Sequence, residues 1–397
     1  MVQLIDIPPA KDWLSQFEIP DIYMAEHMLR RMRYIAFEEF EKWLHTSVHS
    51  VLEEIEKQDG KSSVAIFPVS KPFIHKFNKD KEAKLPNDSS GRIAHSLKNI
   101  ERDLPKHVEL APRLDSMREQ KVKNIIFVDD FVGTGDRFIK SWQATVSGTI
   151  KSWCSFGWCK VWFLTFAAHQ AGIKKILKTI HPLELSRIKV NLTINKSFML
   201  KNSGMENVLK KYGSNLGPAN QVMGYGGLAS PIVFQYGCPN NVPLIFWLGS
   251  TGTIRTKWMP LFSNRSISSE LYPLFSEDLA KSAMPEELWT SGHYQLALNF
   301  MEAVSGYGQE QHQLLFILTW LSKKRSIDEI KDLLILPAND FDSLLKQLKD
   351  GGVIDENAAL TRFAYDIVAR LEKKRKMNVT IKKEKFYFPS SFSGFRR

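Results

Sequence analysis

The sequence predicts an α/β protein with a mainly parallel sheet, because strand-like and helix-like segments alternate along its middle part. Short apolar segments rich in β-branched and aromatic residues are typical of buried strands. The strand candidates span residues 62–69, 125–128, 161–168, 188–194 and 231–235. Segments with apolar residues three and four positions apart predict helices at 93–100, from about 137 and at 172–179. Parallel neighbours need a long crossover connection, so this alternation predicts a parallel sheet with flanking helices.

Both ends of the chain predict helical modules outside the sheet. Residues 22–34 and 36–56 show helical periodicity and predict an N-terminal helical layer. Near the C-terminus the pattern predicts three helices, two short strands and a closing helix, an order typical of a winged helix-turn-helix. These elements span residues 311–321, a helix opened by a capping box at 326–329, then 341–348, 353–354, 359–361 and 362–374.

The partner of this winged helix-turn-helix is either nucleic acid or protein. Its third helix, which would enter a major groove, carries Asp340, Asp342 and Asp350 against Lys346 and Lys349. Carboxylates facing phosphates make a poor recognition surface. Docking on a protein is therefore the alternative to DNA binding.

Positive charge is concentrated at the C-terminal end of the chain. The formal net charge is +11, and residues 371–397 hold nine basic and two acidic residues, a net charge of +7. A cationic segment attracts phosphate backbones, so we expect nucleic acid to contact this tail. The predicted contacts are Lys373, Lys374, Arg375 and Lys376. A solvated helix end accounts for the same charges without a ligand.

Length and composition predict several domains and a cytoplasmic location. The chain has 397 residues, more than one compact core usually holds. We predict a helical extension at 1–60, a sheet domain at 61–300, a winged helix-turn-helix at 301–376 and a basic tail at 377–397. No apolar stretch approaches the roughly 20 residues of a membrane span, and the N-terminus lacks a signal-peptide pattern. The three cysteines have no metal-binding spacing and are typical of free thiols. The oligomeric state stays open.

Residues 124–137 carry the strongest chemical pattern. Four apolar residues bring Asp129 and Asp130 to the C-terminal end of a predicted strand, where ligands of α/β sheets bind. A Gly-Thr-Gly loop at 133–135 follows, and then a helix begins near Arg137. Backbone N–H groups and a hydroxyl at a helix N-terminus suit a phosphate, whereas two carboxylates suit sugar hydroxyls or a cation. A ribose 5-phosphate satisfies both. A chance glycine turn beside a solvated Asp pair is the alternative without a ligand.

This run resembles the phosphoribosyl-pyrophosphate (PRPP) motif of type I phosphoribosyltransferases, which has apolar residues, two acids and a short Thr-Gly loop. The resemblance implies that Asp129 and Asp130 hold the ribose 2- and 3-hydroxyls, with Mg²⁺ nearby as the cofactor. It implies that the loop holds the 5-phosphate of PRPP or of a nucleotide. The loop residues are Gly133, Thr134, Gly135, Asp136 and Arg137.

Three positions depart from that family's pattern. Phe131 is bulkier than the usual aliphatic residue, and Arg137 replaces a usual Ser or Thr. Gly133 stands where many purine-salvage members carry an acid that deprotonates the base. These departures argue against salvage of a purine base and leave the prediction of ribose-phosphate binding.

Two further segments are candidate diphosphate sites. Ser70 and Lys71 follow the first predicted strand, where the resembling family places its pyrophosphate loop, and a lysine there could neutralise a leaving diphosphate. Ser89, Ser90 and Arg92 precede a predicted helix and suit an anion. A surface lysine and an ordinary helix N-cap are the alternatives.

Asn240 and Asn241, between prolines 239 and 243, offer amide donors and acceptors that could bind the edge of a base or cap neighbouring loops. This Pro-Asn-Asn run and the Asp-Asp-Phe-x-Gly-Thr-Gly form at 129–135 resemble phosphoribosyltransferase-like proteins of bacterial conflict systems. That resemblance implies that this protein is an effector of antiphage defence, a class that includes proteins encoded beside retron reverse transcriptases. It implies a nucleic-acid or reverse-transcriptase partner for the winged helix and the basic tail.

The combined pattern predicts a Mg²⁺-dependent enzyme that transfers or hydrolyses at the anomeric carbon of PRPP or a nucleotide. Asp129 and Asp130 would bind the diol and the metal, and Lys71 or Arg92 would stabilise the leaving group. The sequence identifies no residue as a general base. The rival is a non-catalytic regulator that senses PRPP or a nucleotide, and the absence of an acid at Gly133 favours it.

Overall fold

The computed structural model describes residues 4–70, 89–194, 203–249 and 258–373. The α-helices are α1 (Pro8–Leu14), α2 (Ile19–Arg30), α3 (Phe37–Asp59), α4 (Ser89–Ile100), α5 (Leu114–Glu119), α6 (Asp136–Thr145), α7 (Gly148–Ser155), α8 (Gln170–Thr179), α9 (Ser203–Gly213), α10 (Glu277–Thr290), α11 (Tyr294–Ala303), α12 (Gln309–Ser322), α13 (Ile327–Leu334), α14 (Ala338–Asp350) and α15 (Arg362–Glu372). The strands are β1 (Arg33–Ile35), β2 (Val64–Pro68), β3 (Val108–Leu110), β4 (Asn124–Val132), β5 (Lys160–His169), β6 (Leu183–Ile194) and β7 (Ile232–Phe234). Short 3₁₀ helices span Leu4–Asp6, Glu101–Asp103, Ala219–Gln221, Tyr225–Gly227, Leu244–Phe246, Ser263–Arg265 and Ser269–Phe275.

A five-stranded parallel sheet in the order β3-β2-β4-β5-β6 forms the centre of the molecule, which confirms the predicted fold class. β4 is the middle strand, and all of its residues are buried. Side chains of a strand alternate between its two faces. Ile126 and Val128 accordingly face α3 and α4, whereas Ile125 and Phe127 face α6 and α8.

Two strand predictions and one helix prediction need correction. β4 continues through Asp129 and Asp130 to Val132, so the acids lie inside the strand and are buried rather than following its end. β7 forms at residues 232–234 but pairs in parallel with β1 in a separate two-stranded sheet. β1 itself occupies residues 33–35, where the periodicity of 22–34 predicted helix; α2 ends at Arg30.

The first two helices pack on a second core beside the main sheet. Trp13 of α1 stacks on Phe246 with ring centroids 5.0 Å apart, and its indole N–H donates to the carbonyl of Ile245 at 3.1 Å. Helices α2 and α9 complete this core. These contacts hold the segment around residue 245 against α1.

The C-terminal module is a winged helix-turn-helix. Ser326 and Glu329 form the predicted capping box of α13. The wing consists of one antiparallel bridge between Ile354 and Leu360 in place of two full strands. Helices α10 and α11 add Leu288 and Phe300, among others, to the hydrophobic core of this module.

Charged residues of α2 and Arg31, which follows it, connect the N-terminal layer to the C-terminal module. Arg31 is buried, lies 3.2 Å from Glu287 of α10 and donates to the carbonyl of Leu333 at 2.7 Å. His27 lies 2.9 Å from Glu286. Such contacts tie the two parts of the chain together. Among the described residues, no helix combines the length and apolar character required to cross a bilayer.

Candidate functional site

A cavity of about 780 Å³ opens at the carboxyl ends of the main-sheet strands. Four segments contribute its walls: the end of β4 with the following loop and α6, Arg92 of α4, the polypeptide after β7, and the turn near residue 265. Its polar lining residues include Arg92, Asp129, Asp130, Thr134, Asp136, Arg137, Lys140, Tyr225, Tyr236, Asn240, Asn241 and Arg265. The structure thus brings the predicted acids, the predicted loop, Arg92 and the Asn pair to one place.

The two acids share one guanidinium. Asp129 and Asp130 are 1% and 4% exposed. Arg137, in the first turn of α6, donates from Nη2 to Asp130 at 2.6 Å and from Nε to Asp129 at 3.2 Å, and its Nη2 also contacts Asp129. Buried carboxylates need such a partner, because an unpaired charge in the interior costs several kcal/mol. Arg137 was predicted as part of the phosphate loop, whereas in this structure its side chain lies on the acid pair.

Tyr236 holds the second carboxylate from the opposite wall. Its hydroxyl donates to Asp130 Oδ2 at 2.8 Å. Burial and the neighbouring Asp130 carboxylate raise the pKa of Tyr236 well above its ordinary value, so the hydroxyl stays a donor. The guanidinium of Arg92 lies 4.7 Å from the centre of the Tyr236 ring and donates to the Tyr236 carbonyl at 2.9 Å. Arg92 therefore lines the cavity and contacts Tyr236, a residue that the sequence did not single out.

The loop after β4 is a tight glycine-containing turn that leads directly into α6. Gly135 has φ +82°, and a Cβ there would lie 2.8 Å from the Gly172 carbonyl oxygen, so only glycine fits. Helix α6 begins at the next residue, which points its first N–H groups toward the cavity mouth, where an anion is favoured. The Thr134 hydroxyl donates to Asp136 at 2.7 Å, and Lys175 binds the same carboxylate at 2.7 Å. These bonds lower the pKa of Asp136, with the Lys175 bond the largest cause.

Asn241 takes the space beside Gly133. A Cβ built on Gly133 would lie 2.5 Å from the Asn241 side-chain nitrogen. That amide donates to the Tyr225 carbonyl at 2.8 Å, so Asn241 caps a neighbouring loop, one of the two predicted roles. Asn240 is exposed at the cavity, where an amide is accessible to a ligand. An acidic side chain at position 133 would collide with Asn241, which accounts for the glycine there.

The remaining predicted positions are only partly described. Ser70 follows the end of β2, whose Pro68 is opposite Val128 of β4, and so lies at the same edge as the acids. Ser89 and Ser90 form the start of α4. Lys373 follows α15. Lys71, Lys374, Arg375, Lys376 and the tail at 377–397 lie outside the described residues.

Tyr236, Tyr225 and Lys175 are site residues that the sequence reasoning missed. Tyr236 comes two residues after β7, so a polar residue beyond a short strand was a signal that could have identified it. The partners of Asp136 gave no such signal, since Lys175 and the Tyr225 hydroxyl reach it from distant segments.

Two carboxylates are a sufficient protein contribution for Mg²⁺ when substrate phosphates supply other ligands. Among residues 4–70, 89–194, 203–249 and 258–373, no group of three or more His, Cys, Asp or Glu is placed to bind a metal. Asp129 and Asp130 therefore fit a metal that arrives with a phosphate ligand, provided that Arg137 moves from them.

The sheet topology and the loop at its carboxyl edge define a phosphoribosyltransferase-like domain that carries a winged helix-turn-helix. The chain matches the PRTase-CE family over residues 10–264 and belongs to that family. A second match, described as wHTH-PRTase associated, covers residues 315–394. No curated protein matches the chain.

Proposed function

We propose that this protein binds PRPP or a nucleotide through its ribose 5-phosphate and transfers or hydrolyses at the anomeric carbon. The observation that carries the proposal is the buried Asp129–Asp130 pair next to a glycine-containing loop at the start of α6, in one cavity. The N–H groups of that loop suit the phosphate, and the acid pair suits the diol five to six atoms away along the ribose. Membership in the PRTase-CE family supports the same ligand class.

Arg137 would exchange partners when the ligand enters. The ribose hydroxyls donate hydrogen bonds as the guanidinium does, so they can replace it on Asp129 and Asp130. The displaced guanidinium would then reach a phosphate group, which Arg binds in a bidentate manner. Asp136 would keep its bond to Lys175, and this reduces repulsion between its carboxylate and the 5-phosphate.

Cleavage at the anomeric carbon passes through a cationic sugar, so the site must stabilise positive charge on the ring and negative charge on the leaving group. Asp129 and Asp130 supply the negative field beneath the ring. Arg92, and Lys71 by resemblance, would stabilise the leaving diphosphate. Bound Mg²⁺, held by the acid pair and the ligand phosphates, would neutralise further negative charge.

A non-catalytic sensor is the second candidate, and the packing of Asn241 on Gly133 favours it. This packing leaves no room for the acid that deprotonates a base in purine-salvage enzymes. In this alternative, ligand binding would release Arg137 and alter α6 without breaking a bond.

We propose a defence role for either activity, as an antiphage effector of the retron or toxin–antitoxin kind. The support is the winged helix-turn-helix joined to the PRTase-CE domain, which suits an effector restrained by a nucleic-acid or reverse-transcriptase complex. The exposed acids of α14, Asp340 and Asp342, argue that any nucleic acid contacts the basic tail rather than this helix.

Calorimetry with PRPP, ribose 5-phosphate and 2-deoxyribose 5-phosphate tests the ligand. We expect binding of the first two and marked loss for the deoxy compound, because it lacks one hydroxyl for the acid pair. Equal binding of all three would refute the diol assignment. Chromatography of PRPP and nucleotide incubations then separates the candidates: released pyrophosphate or base supports the enzyme, and unchanged ligand supports the sensor.

A further inference from the structure

A second cavity, of about 570 Å³, lies at the opposite edge of the main sheet, where β4 and β5 begin. We call it the amino-edge cavity. Its lining includes four basic residues and one acid: Arg118, Lys121, Lys123, Lys160 and Asp59. Lys123 is six residues before Asp129 along an extended strand, which separates this cavity from the acid pair by about 20 Å. A ligand here would not touch the candidate ribose-phosphate site.

Two large aromatic rings stand exposed at this cavity. Trp158, which lines it, is 65% exposed, and the adjoining Phe156 is 69% exposed. Their ring centroids lie 5.2 Å apart with an interplanar angle of 28°, so the rings stack on each other and not on the core. Burial of such side chains normally stabilises a protein, and these two rings do not contribute that stabilisation. Adjacent exposed aromatic rings of this kind are typical of a binding surface.

The backbone fixes these rings in a tight turn after α7. Gly157, between them, has φ +71°, a conformation that favours glycine. The N–H of Gly157 donates to the Cys154 carbonyl at 3.1 Å, and that of Trp158 donates to the Trp153 carbonyl at 2.9 Å. The backbone that carries the exposed pair is therefore fixed before any partner binds, which reduces the entropy cost of binding.

The side chains that line the cavity carry a net positive charge. Asp59 is neutralised by Lys160, whose Nζ lies 2.5 Å from the carboxylate. Arg118 lies 3.6 Å from Asp115 in an exposed ion pair, and pairs of this kind contribute little to stability. Lys121 and Lys123 are exposed on the turn that leads into β4. Positive charge beside stacking rings is the pattern of surfaces that bind single-stranded nucleic acid.

We propose that the amino-edge cavity binds single-stranded nucleic acid, with a base stacked on the Phe156–Trp158 pair and neighbouring phosphates at Lys121 and Lys123. A duplex offers no free base face to these rings, since its bases already stack on each other. A membrane surface would require rings on a convex tip, whereas Trp158 lines a concavity. This surface differs from the basic tail because it supplies stacking as well as charge.

Fluorescence anisotropy of the full chain with a labelled oligothymidine, compared with an abasic strand of equal length, tests the proposal. Phe156→Ala with Trp158→Ala should weaken oligothymidine binding by roughly 5- to 150-fold, the range for loss of one stacked base, and should leave binding of the abasic strand unaffected. Lys121→Ala with Lys123→Ala should weaken both strands and lower the log–log salt slope by about 0.7 for each lost contact.

Matched controls keep the result specific. Tyr307→Ala removes another ring, 60% exposed, from the C-terminal module, and Lys11→Ala with Lys42→Ala removes two exposed charges from α1 and from the N-terminal half of α3; neither should change binding. Oligothymidine should also quench tryptophan fluorescence of the wild type, and Trp158→Phe should reduce that quenching, with Trp153 of the same lining as the remaining reporter. Equal affinity for intact and abasic strands, wild-type binding by the aromatic variant, or binding of duplex or anionic vesicles in preference to oligothymidine would each overturn the proposal.

Discussion

The guanidinium of Arg137 lies 2.6 Å from the carboxylate of Asp130 and also binds Asp129, so one cation of the chain occupies the position proposed for the ligand diol and Mg²⁺. The contact links the first turn of α6 to Asp130 of β4, seven residues earlier in the chain. It stabilises two buried carboxylates in the free protein, and it must break if a ribose is to reach them. The stability of the free protein and its affinity for ligand are therefore coupled through Arg137.

Arg137→Met should destabilise the protein by about 3 kcal/mol, because removing one partner of a buried ion pair leaves uncompensated charge. Millimolar Mg²⁺ should then raise the melting temperature of the variant more than that of the wild type, since the acid pair becomes free to bind it. Thermal denaturation with and without Mg²⁺ measures both effects. Lys140→Met, which removes an exposed cation from the same cavity, is the control. Equal responses to Mg²⁺ in the wild type and Arg137→Met would contradict competition for one site.

Asp130→Asn should reduce affinity for PRPP or the responding nucleotide by roughly 10- to 100-fold, the usual loss for one hydrogen bond to a charged group. The Asn side chain keeps an acceptor for Tyr236 and nearly the same volume, so the fold should persist. Calorimetry gives the affinity, and circular dichroism confirms folding. Asp342→Asn, on the exposed face of α14, should bind as the wild type does. Normal affinity in Asp130→Asn would remove this residue from the diol site.

Gly133→Ala should destabilise the loop by about 1–3 kcal/mol, because its Cβ would lie within 2.5 Å of the Asn241 amide. In an Asn241→Ala background the colliding atoms are gone, so the same substitution should cost less than about 0.5 kcal/mol. Urea denaturation of the four proteins in this double-mutant cycle gives the coupling energy. Additive effects would mean that Asn241 does not determine the glycine at position 133.

The part of the site that is local in sequence was predictable, and the part that depends on distant contacts was not. The acids, the glycine loop and the start of α6 lie within fourteen consecutive residues, 124–137, so spacing alone assembles them. Tyr236 reaches Asp130 only because β7 pairs with β1, with Arg33 opposite Ile232. No periodicity in a three-residue strand reveals a partner two hundred residues away.

Arg137 shows a different limit of sequence reasoning. The resemblance to the PRPP motif implied that Arg137 belongs to the phosphate loop, and nothing in the sequence indicated where its side chain points. The direction of its side chain follows from the burial of Asp129 and Asp130, and that burial follows from the continuation of β4 to Val132. The predicted strand ended before the acids, so the acids were expected at the strand end, open to a ligand and not buried against an internal cation. Correct strand length would have predicted the ion pair.

Tyr236→Phe should change how stability depends on pH. The pKa of Tyr236 is raised well above its ordinary value of about 10 by burial and by Asp130. Above pH 10 the unfolded chain releases this proton while the native protein retains it, so the wild type loses about 1.4 kcal/mol of unfolding free energy for each pH unit. This loss continues until the native pKa is reached, and below pH 10 the contribution is fully present. The Phe variant lacks this term. Denaturant titrations at several pH values between 9 and 11 give the unfolding free energy at each pH. This free energy should fall less steeply with pH in the variant than in the wild type. An identical pH dependence in the two proteins would contradict a protonated Tyr236 in the native state.

Removal of residues 374–397 should reduce nucleic-acid affinity and its salt dependence, since the segment carries seven of the eleven net positive charges. The truncation begins after Lys373 because the side chain of Asn299 donates to the carbonyls of Leu371 and Lys373, at 2.5 and 3.2 Å, and a shorter chain would lose these bonds. Filter binding at two salt concentrations should show the log–log slope on duplex DNA falling by about 0.9 for each lost phosphate contact, with little difference between unrelated sequences. Asp340→Asn with Asp342→Asn serves as the control: removing these exposed acids from α14 leaves the slope unchanged if the tail makes the contact. An unchanged slope after truncation, or tight binding to one sequence alone, would assign DNA contact to the winged helix instead.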